Sequence, residues 1–140
     1  MKVRHLLLVA VLFLSASAVR AEVVDISDDH GGLVASYQSQ WQGLAARGVS
    51  VRIVGPCVSA CTILVGYISR ERICVMPSAY LGFHWATTQF HTQQLWDIYP
   101  PDIRQWISQH GGLTNQLILL QAPAIYHYFR KCTGSVARIR

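Results

Sequence analysis

Hydrophobic positions change period along this chain, and each change marks an element. Val23 to Ile26 is short, apolar and β-branched, and an acidic, glycine-containing turn follows it. That pattern predicts a buried strand. From Leu33 the apolar residues recur at Tyr37, Trp41 and Leu44, at spacings of four and three. Glutamines and Arg47 fill the positions between. This is a helix with one buried face, and Gly48 is its expected C-terminal stop. Val49, Val51, Ile53 and Val54 predict a second strand, ended by Gly55-Pro56. Ser59 to Ile68 is apolar enough for a buried helix. Ile73–Met76 and Ala79–Phe83, either side of Pro77-Ser78, read as two short strands or one bent one.

The remainder reads as mainly helical. Pro100-Pro101-Asp102 opens a helix carrying Ile103, Trp106 and Ile107 on one face, and Gly111-Gly112 ends it. Thr114 is placed to cap an apolar turn from Leu117 to Leu120. Ala122-Pro123 starts a last helix through Tyr126, Phe129 and Arg130 to Cys132. Strand, helix, strand, helix, strand is the order of βαβ crossovers. The fold class expected is therefore α/β, a small parallel sheet with a helical C-terminal part. In such sheets ligands bind at the carboxyl ends of the strands. Gly31-Gly32, Ser59 and His84 all fall at those ends.

The chain has 140 residues with a formal net charge of +5. Residues 1–21 account for much of that charge. Lys2, Arg4 and His5 form a basic start, Leu6 to Leu14 is an apolar run too short to span a bilayer, and Val19-Arg20-Ala21 has small residues where a signal peptidase cuts. Residues 1–21 are thus an expected signal peptide, and 22–140 one domain, with sheet and site in 22–84 and a mainly helical 85–140. Without Lys2, Arg4 and Arg20, nine basic residues face seven acidic ones. That balance gives no reason to expect a nucleic-acid partner. No membrane attachment is expected once the leader is removed, and the location implied is periplasmic or secreted.

Export changes the reading of the four cysteines. Cys57, Cys61, Cys74 and Cys132 are an even set, so disulfides are expected. The pairing Cys57–Cys61 with Cys74–Cys132 and the rival Cys57–Cys74 both stay open. Cys57-x-x-x-Cys61 is also half of a zinc pattern, but no closely spaced Cys or His pair accompanies it, and no metal is expected. No phosphate-cradling or dinucleotide-binding glycine pattern is present, so no cofactor is expected.

The chemistry concentrates between Gly55 and His84. Ser59 opens an apolar helix, where backbone N–H groups are available to a developing oxyanion. His84 ends a strand and is the base candidate among six histidines. Gly31 and Gly32 end another strand with exposed amides, and the amide of Ala60 is the natural partner donor. Ser59 is equally a favourable helix cap, and the two glycines are equally a tight turn. His30 reads as a turn residue, and His91, His110 and His127 as surface residues. Trp85, Trp96, Trp106 and Tyr99 read as core.

At these residues the chain resembles the Clp-protease proteolytic subunit and its crotonase-like superfamily, and more closely the exported alphaproteobacterial relatives of that family. The residues carrying the resemblance are the strand and Gly-Gly turn from Ile26 to Gly32, the helix and strand from Leu33 to Val54, Ser59 within Cys57-Val58-Ser59-Ala60-Cys61, and Arg72 to Pro77 leading to a strand that ends at His84. His84 follows Ser59 by 25 positions, which fits the family.

The resemblance covers Val23 to His84 and implies a truncated Clp-protease/crotonase-like domain. It implies a nucleophile at Ser59, a base at His84, an oxyanion hole from Gly32, Ala60 and Gly31, and a peptide or small acyl substrate. An oligomer is compatible with it. Two departures stand out. The family's opening strand and helix have no counterpart before Glu22. Its catalytic aspartate has no match, since Asp97 and Asp102 are the only acids after His84. Two function classes follow: an exported Ser-His hydrolase, or an inactive periplasmic binding or interaction domain on the same fold. An acyl-thioester binder without a nucleophile is a third reading, and export disfavours it.

Overall fold

The computed structural model describes residues 22–134. The expected leader, and Arg138 and Arg140 at the chain end, lie outside them. Two small sheets carry the fold. The first contains β1 (Val23–Ile26), β2 (Ser50–Ile53), β4 (Ile73–Val75) and β7 (Arg130–Lys131), in the order β1-β2-β4-β7, all parallel. The second contains β3 (Pro56–Val58), β5 (Tyr80–Phe83) and β6 (Ile118–Gln121), in the order β3-β5-β6. There β3 and β5 are parallel, and β6 runs antiparallel to β5.

Helix α1 (Val34–Ala46) is the crossover between β1 and β2. Trp41 and Leu44, two residues of the predicted stripe, are buried, while Leu33 at its start is 77% exposed. Gly48 takes φ +69° just past the helix, the left-handed stop the sequence suggested.

Gly55 carries the chain from one sheet to the other. Val54 and Gly55 both donate to Ile26 O, at 2.7 and 3.1 Å, and a β-carbon on Gly55 would sit 2.0 Å from Ser27 O. No side chain fits there, so the step between sheets is made at a glycine. The Pro77-Ser78 turn makes the same change later. Ile73–Val75 and Tyr80–Phe83 are therefore two strands in different sheets, and not one bent strand.

Helices α3 (Gln89–Ile98) and α4 (Pro101–Gln109) follow β5. Pro101 occupies the first turn of α4, and Ile103, Trp106 and Ile107 are its buried face. Phe83 meets Tyr99 edge-on at 5.3 Å between ring centres, which packs β5 against the end of α3.

Two segments read as helical are strands. Leu117–Leu120 is not a capped turn but leads into β6, where period two governs burial: Leu120 is buried, while Leu117 and Leu119 are exposed. The stretch from Ala122 to Cys132 is not a helix. It makes one 3-10 turn (Ala124–His127) and then β7 beside β4. Arg130 and Lys131 are exposed, so no apolar pattern announces this strand, which pairs with β4 through the backbone while Arg130 Nε donates to Glu71 O at 3.3 Å.

Both disulfides are formed, Cys57–Cys61 and Cys74–Cys132, and no cysteine is free. The rival Cys57–Cys74 pairing is thereby excluded. The second bond ties the end of β7 to β4.

Candidate active site

Ser59 follows β3 directly. Val58 is still extended (φ −122°, ψ 150°), and Ser59 then turns into the left-handed region at φ +58°. Among the described residues it is the only non-glycine with that backbone. Such a conformation costs on the order of 1–3 kcal/mol, so neighbouring structure must hold it.

Three features do so. The Cys57–Cys61 bond closes a ring of chain around Ser59 and Ala60. Thr62 Oγ1 donates to Ser59 O at 2.6 Å. Tyr99 OH lies 2.7 Å from Thr62 Oγ1. Thr62 has one hydroxyl hydrogen and gives it to Ser59, so Tyr99 is the donor in that second bond. Burial raises the Tyr99 pKa well above the usual phenol range, which keeps its proton in place.

The helix after Ser59 is shorter than the sequence suggested. A 3-10 turn (Ser59–Ile63) runs into a single α turn, α2 (Leu64–Tyr67). A long helix dipole is therefore not available to Ser59. What remains is the local amide of Ala60, which as the second residue of the turn has no acceptor within it.

His84 follows β5 directly and is half-buried. It lines one cleft, of about 210 Å³, together with Ser59, Gly32, Trp85 and His91. Gly32, from the loop between β1 and α1, thus meets Ser59 and His84, from the ends of β3 and β5, in one place. Ser59 and His84 are not hydrogen-bonded to each other, and no acid among the described residues bonds to His84. Asp97 accepts from Gln93 at 2.8 Å, and Asp102 is held by Arg70 at 2.6 and 3.0 Å. Arg70 holds the Asp102 carboxyl below the usual carboxylate range. Neither acid is hydrogen-bonded to His84.

The two glycines have different roles. Gly31 donates its amide to Asp29 Oδ1 at 2.9 Å, so that amide is not directed at a substrate oxygen. Gly31 instead allows close approach. It has φ +81°, and a β-carbon there would lie 2.8 Å from Ser59 Cβ and 2.9 Å from Ala60 N. Gly32 lines the cleft and makes no intramolecular hydrogen bond through its amide among the described residues, while Ala60, next to Ser59 in the chain, is fully buried and not part of the cleft lining.

His91 and Trp85 depart from the sequence reading. His91 was expected at the surface, yet it lines the cleft, with Nδ1 2.9 Å from Thr88 Oγ1. Trp85 was expected in the core, but is 51% exposed at the cleft edge. It also borders an adjoining hollow of about 430 Å³, with Ala86, Thr87, Thr92 and Leu113. His30 pairs with Asp28 at 2.9 Å and points to solvent. His110 stacks on Trp106 at 4.1 Å, outside the cleft.

With every cysteine in a disulfide, Cys57 and Cys61 are not available as zinc ligands. Among the described residues no group of three His, Cys, Asp or Glu side chains converges.

The arrangement of strands and helices is that of a Clp-protease-like fold. The N165D mutant of ClpP1 from Listeria monocytogenes is similar to this chain in structure, with a TM-score of 0.50, 14% sequence identity, and coverage of 79% of this chain and 72% of that one. At that identity the likeness defines the fold alone. No family model and no curated protein matches the sequence.

Proposed function

We propose that this chain is an exported serine hydrolase acting on a peptide or another acyl compound through a Ser59–His84 dyad. The observation that carries the reading is the left-handed backbone of Ser59 at a strand-to-helix turn, opening on the cleft that His84 also lines. A strained turn of this kind presents a hydroxyl clear of its own chain, as in other hydrolases with a nucleophile on a sharp elbow.

In the first half-reaction Ser59 Oγ attacks the carbonyl carbon, and His84 accepts the Ser59 proton. The amides of Gly32 and Ala60 hold the oxyanion. Collapse breaks the bond to the leaving group, which takes the proton from His84 and leaves an acyl ester on Ser59. In the second half-reaction water attacks the ester while His84 takes its proton. The acid is released and Ser59 regains its hydrogen.

The finer features of the reading go with this proposal: removal of residues 1–21, a periplasmic or secreted location, kinship with exported crotonase-like relatives, and assembly as an oligomer. Two disulfides support an extracytoplasmic site. No helix among the described residues is long and apolar enough to cross a membrane. The second reading, an inactive binding or interaction domain, is favoured by one observation: no acid orients His84.

A fluorophosphonate probe separates the two. Labelling mapped to Ser59 by peptide mass spectrometry supports the hydrolase. Absence of labelling in folded, oxidised protein sinks it and leaves the binding domain.

A further inference from the structure

The turn beside Ser59 is held by a residue pair outside the Ser-His dyad. Asp29 joins three elements. Its backbone forms a bridge to β3: Asp29 N donates to Pro56 O at 2.9 Å, and Val58 N donates to Asp29 O at 2.8 Å. Its carboxylate oxygen Oδ1 accepts from Gly31 N at 2.9 Å and from Tyr37 OH on α1 at 2.6 Å. The same tyrosine lies beside the next glycine, since a β-carbon on Gly32 would lie 3.4 Å from Tyr37 Cε2. One carboxylate oxygen therefore fixes where Gly31 turns, and so where the Gly32 amide sits relative to Ala60 N and Ser59.

We propose that Asp29 and Tyr37 are positioning residues for the oxyanion side of the cleft, setting the Gly31-Gly32 turn against the Ser59 elbow. The inference rests on the Ser59–His84 reading for its catalytic consequence, while the positioning itself is a property of the turn.

Chemistry suits the pair to this role. A carboxylate accepting two hydrogen bonds, one from a backbone amide and one from a phenol, is a stronger and shorter anchor than a neutral acceptor. Burial, and then the bond to Asp29, push the Tyr37 pKa up to about 12, so its hydroxyl stays a donor at ordinary pH. Neither group is directed at a substrate atom. Both act through Gly31 and Gly32.

The test uses the full-length oxidised protein with Tyr37→Phe, Asp29→Ala and Asp29→Asn. Fluorophosphonate labelling of Ser59 is followed over a concentration series to separate the maximal rate from the half-saturating concentration. Amide hydrogen exchange of Gly31 and Gly32 is read by NMR, and thermal midpoints by scanning calorimetry.

Asp29→Ala should lower the maximal labelling rate by about 10²-fold, comparable to loss of one oxyanion donor. Tyr37→Phe should lower it by about tenfold, and it keeps the test open where Asp29→Ala does not fold. Asp29→Asn should restore most of the rate, because its side-chain oxygen still accepts both bonds. The half-saturating concentration should stay within about twofold, as for a group acting only on the transition state. The Gly31 amide should exchange about tenfold faster in Asp29→Ala, having lost its acceptor.

Labelling at the wild-type maximal rate in both Tyr37→Phe and Asp29→Ala would overturn the proposal, as would unchanged Gly31 exchange. If the wild-type protein is not labelled at all, the hydrolase reading fails separately. Gly31 and Gly32 exchange in the variants then decides the positioning claim on its own.

Discussion

Cys57 is bonded to Cys61 across Ser59, so the left-handed serine sits inside a short covalent ring of chain. Both half-cystines are fully buried, and Cys57 also faces Asp29 in the bridge between β3 and the glycine turn. The ring therefore connects the Ser59 backbone to the glycine-turn side of the cleft.

Removing this bond should affect reactivity more than stability. A ring this short constrains the unfolded chain little, by about 2 kcal/mol in the chain-entropy model. Without the ring, Ser59 is free to relax toward ordinary backbone angles. The Cys57→Ala/Cys61→Ala protein should stay folded by circular dichroism. Its rate of fluorophosphonate labelling at Ser59 should fall by about 10–10²-fold, if a displacement of the nucleophile costs what misplacement typically does. Wild-type labelling in the double variant would show that the ring is not what holds the elbow.

The other disulfide should behave in the opposite way. Cys74 and Cys132 are 58 residues apart in sequence and join β4 to the end of β7, in the sheet that does not contain β3, the strand leading to Ser59. A loop of that length corresponds to roughly 4 kcal/mol of stabilisation by the same model. Cys74→Ala/Cys132→Ala should lower the midpoint in urea substantially, yet label at the wild-type rate while still folded. Equal stability losses for the two disulfide variants would contradict this division of roles.

How much of this was readable in the sequence depends on what holds each element. Helix α1 was legible because Trp41 and Leu44 face a core, and burial writes itself into spacing. Strand β2 was legible for the same reason, with Val51 and Ile53 fully buried. Strand β7 was not, because Arg130 and Lys131 bury nothing and are held by backbone bonds and a distant cysteine. Strand β6 was misread because Leu117 to Leu120 is apolar on both faces, which hides a period of two. At the site, Ser59 and His84 could be named from motif order. Asp29, Tyr37, Thr62 and Tyr99 could not, since each acts through a contact between distant elements. For His91 the readable signal was the cap of α3: Thr88, three residues before it, accepts from the His91 amide.

The glycines give a sharper test of geometry. Gly31→Ala places a β-carbon 2.7 Å from Val58 O, at a backbone angle that side chains rarely adopt. It should destabilise the protein by roughly 2–4 kcal/mol, combining backbone strain with a clash against main chain. Gly32→Ala meets only the Tyr37 ring, at 3.4 Å, and needs no unusual backbone. It should cost under about 1 kcal/mol. Thermal unfolding of the two variants side by side checks this, and an equal loss in both would refute the assigned difference.

Asp102 should matter to acid stability and not to reactivity. Arg70 holds its folded-state pKa below the unfolded value, so the pair contributes stability above the unfolded pKa, lost as pH falls through the folded one. The pair is about two-fifths exposed, so the contribution is below about 1 kcal/mol. Asp102→Asn should therefore lose a little stability near neutrality and nothing at pH 2, measured by urea unfolding. Labelling of Ser59 should be unchanged in Asp102→Asn and in Asp97→Asn. A drop of several orders of magnitude in either would identify a third catalytic residue.

The dyad itself makes the last prediction. Ser59 and His84 line one cleft without a hydrogen bond joining them in the free protein, and such bonds often tighten only when substrate is bound. If they act as a unit, Ser59→Ala and His84→Ala should each remove hydrolysis of an activated ester, and the double variant should be little worse than either. Stability offers an independent view. Alanine at position 59 still has to occupy φ +58°, and no glycine-like relief is gained, so Ser59→Ala should change the thermal midpoint little. Ser59→Gly should instead raise stability by about 1 kcal/mol, because glycine adopts this backbone freely. A protein that is stabilised by Ser59→Gly while losing all labelling carries a residue kept for reactivity against its own folding. A protein destabilised by that change, with no turnover in the wild type, carries at Ser59 only a structural turn.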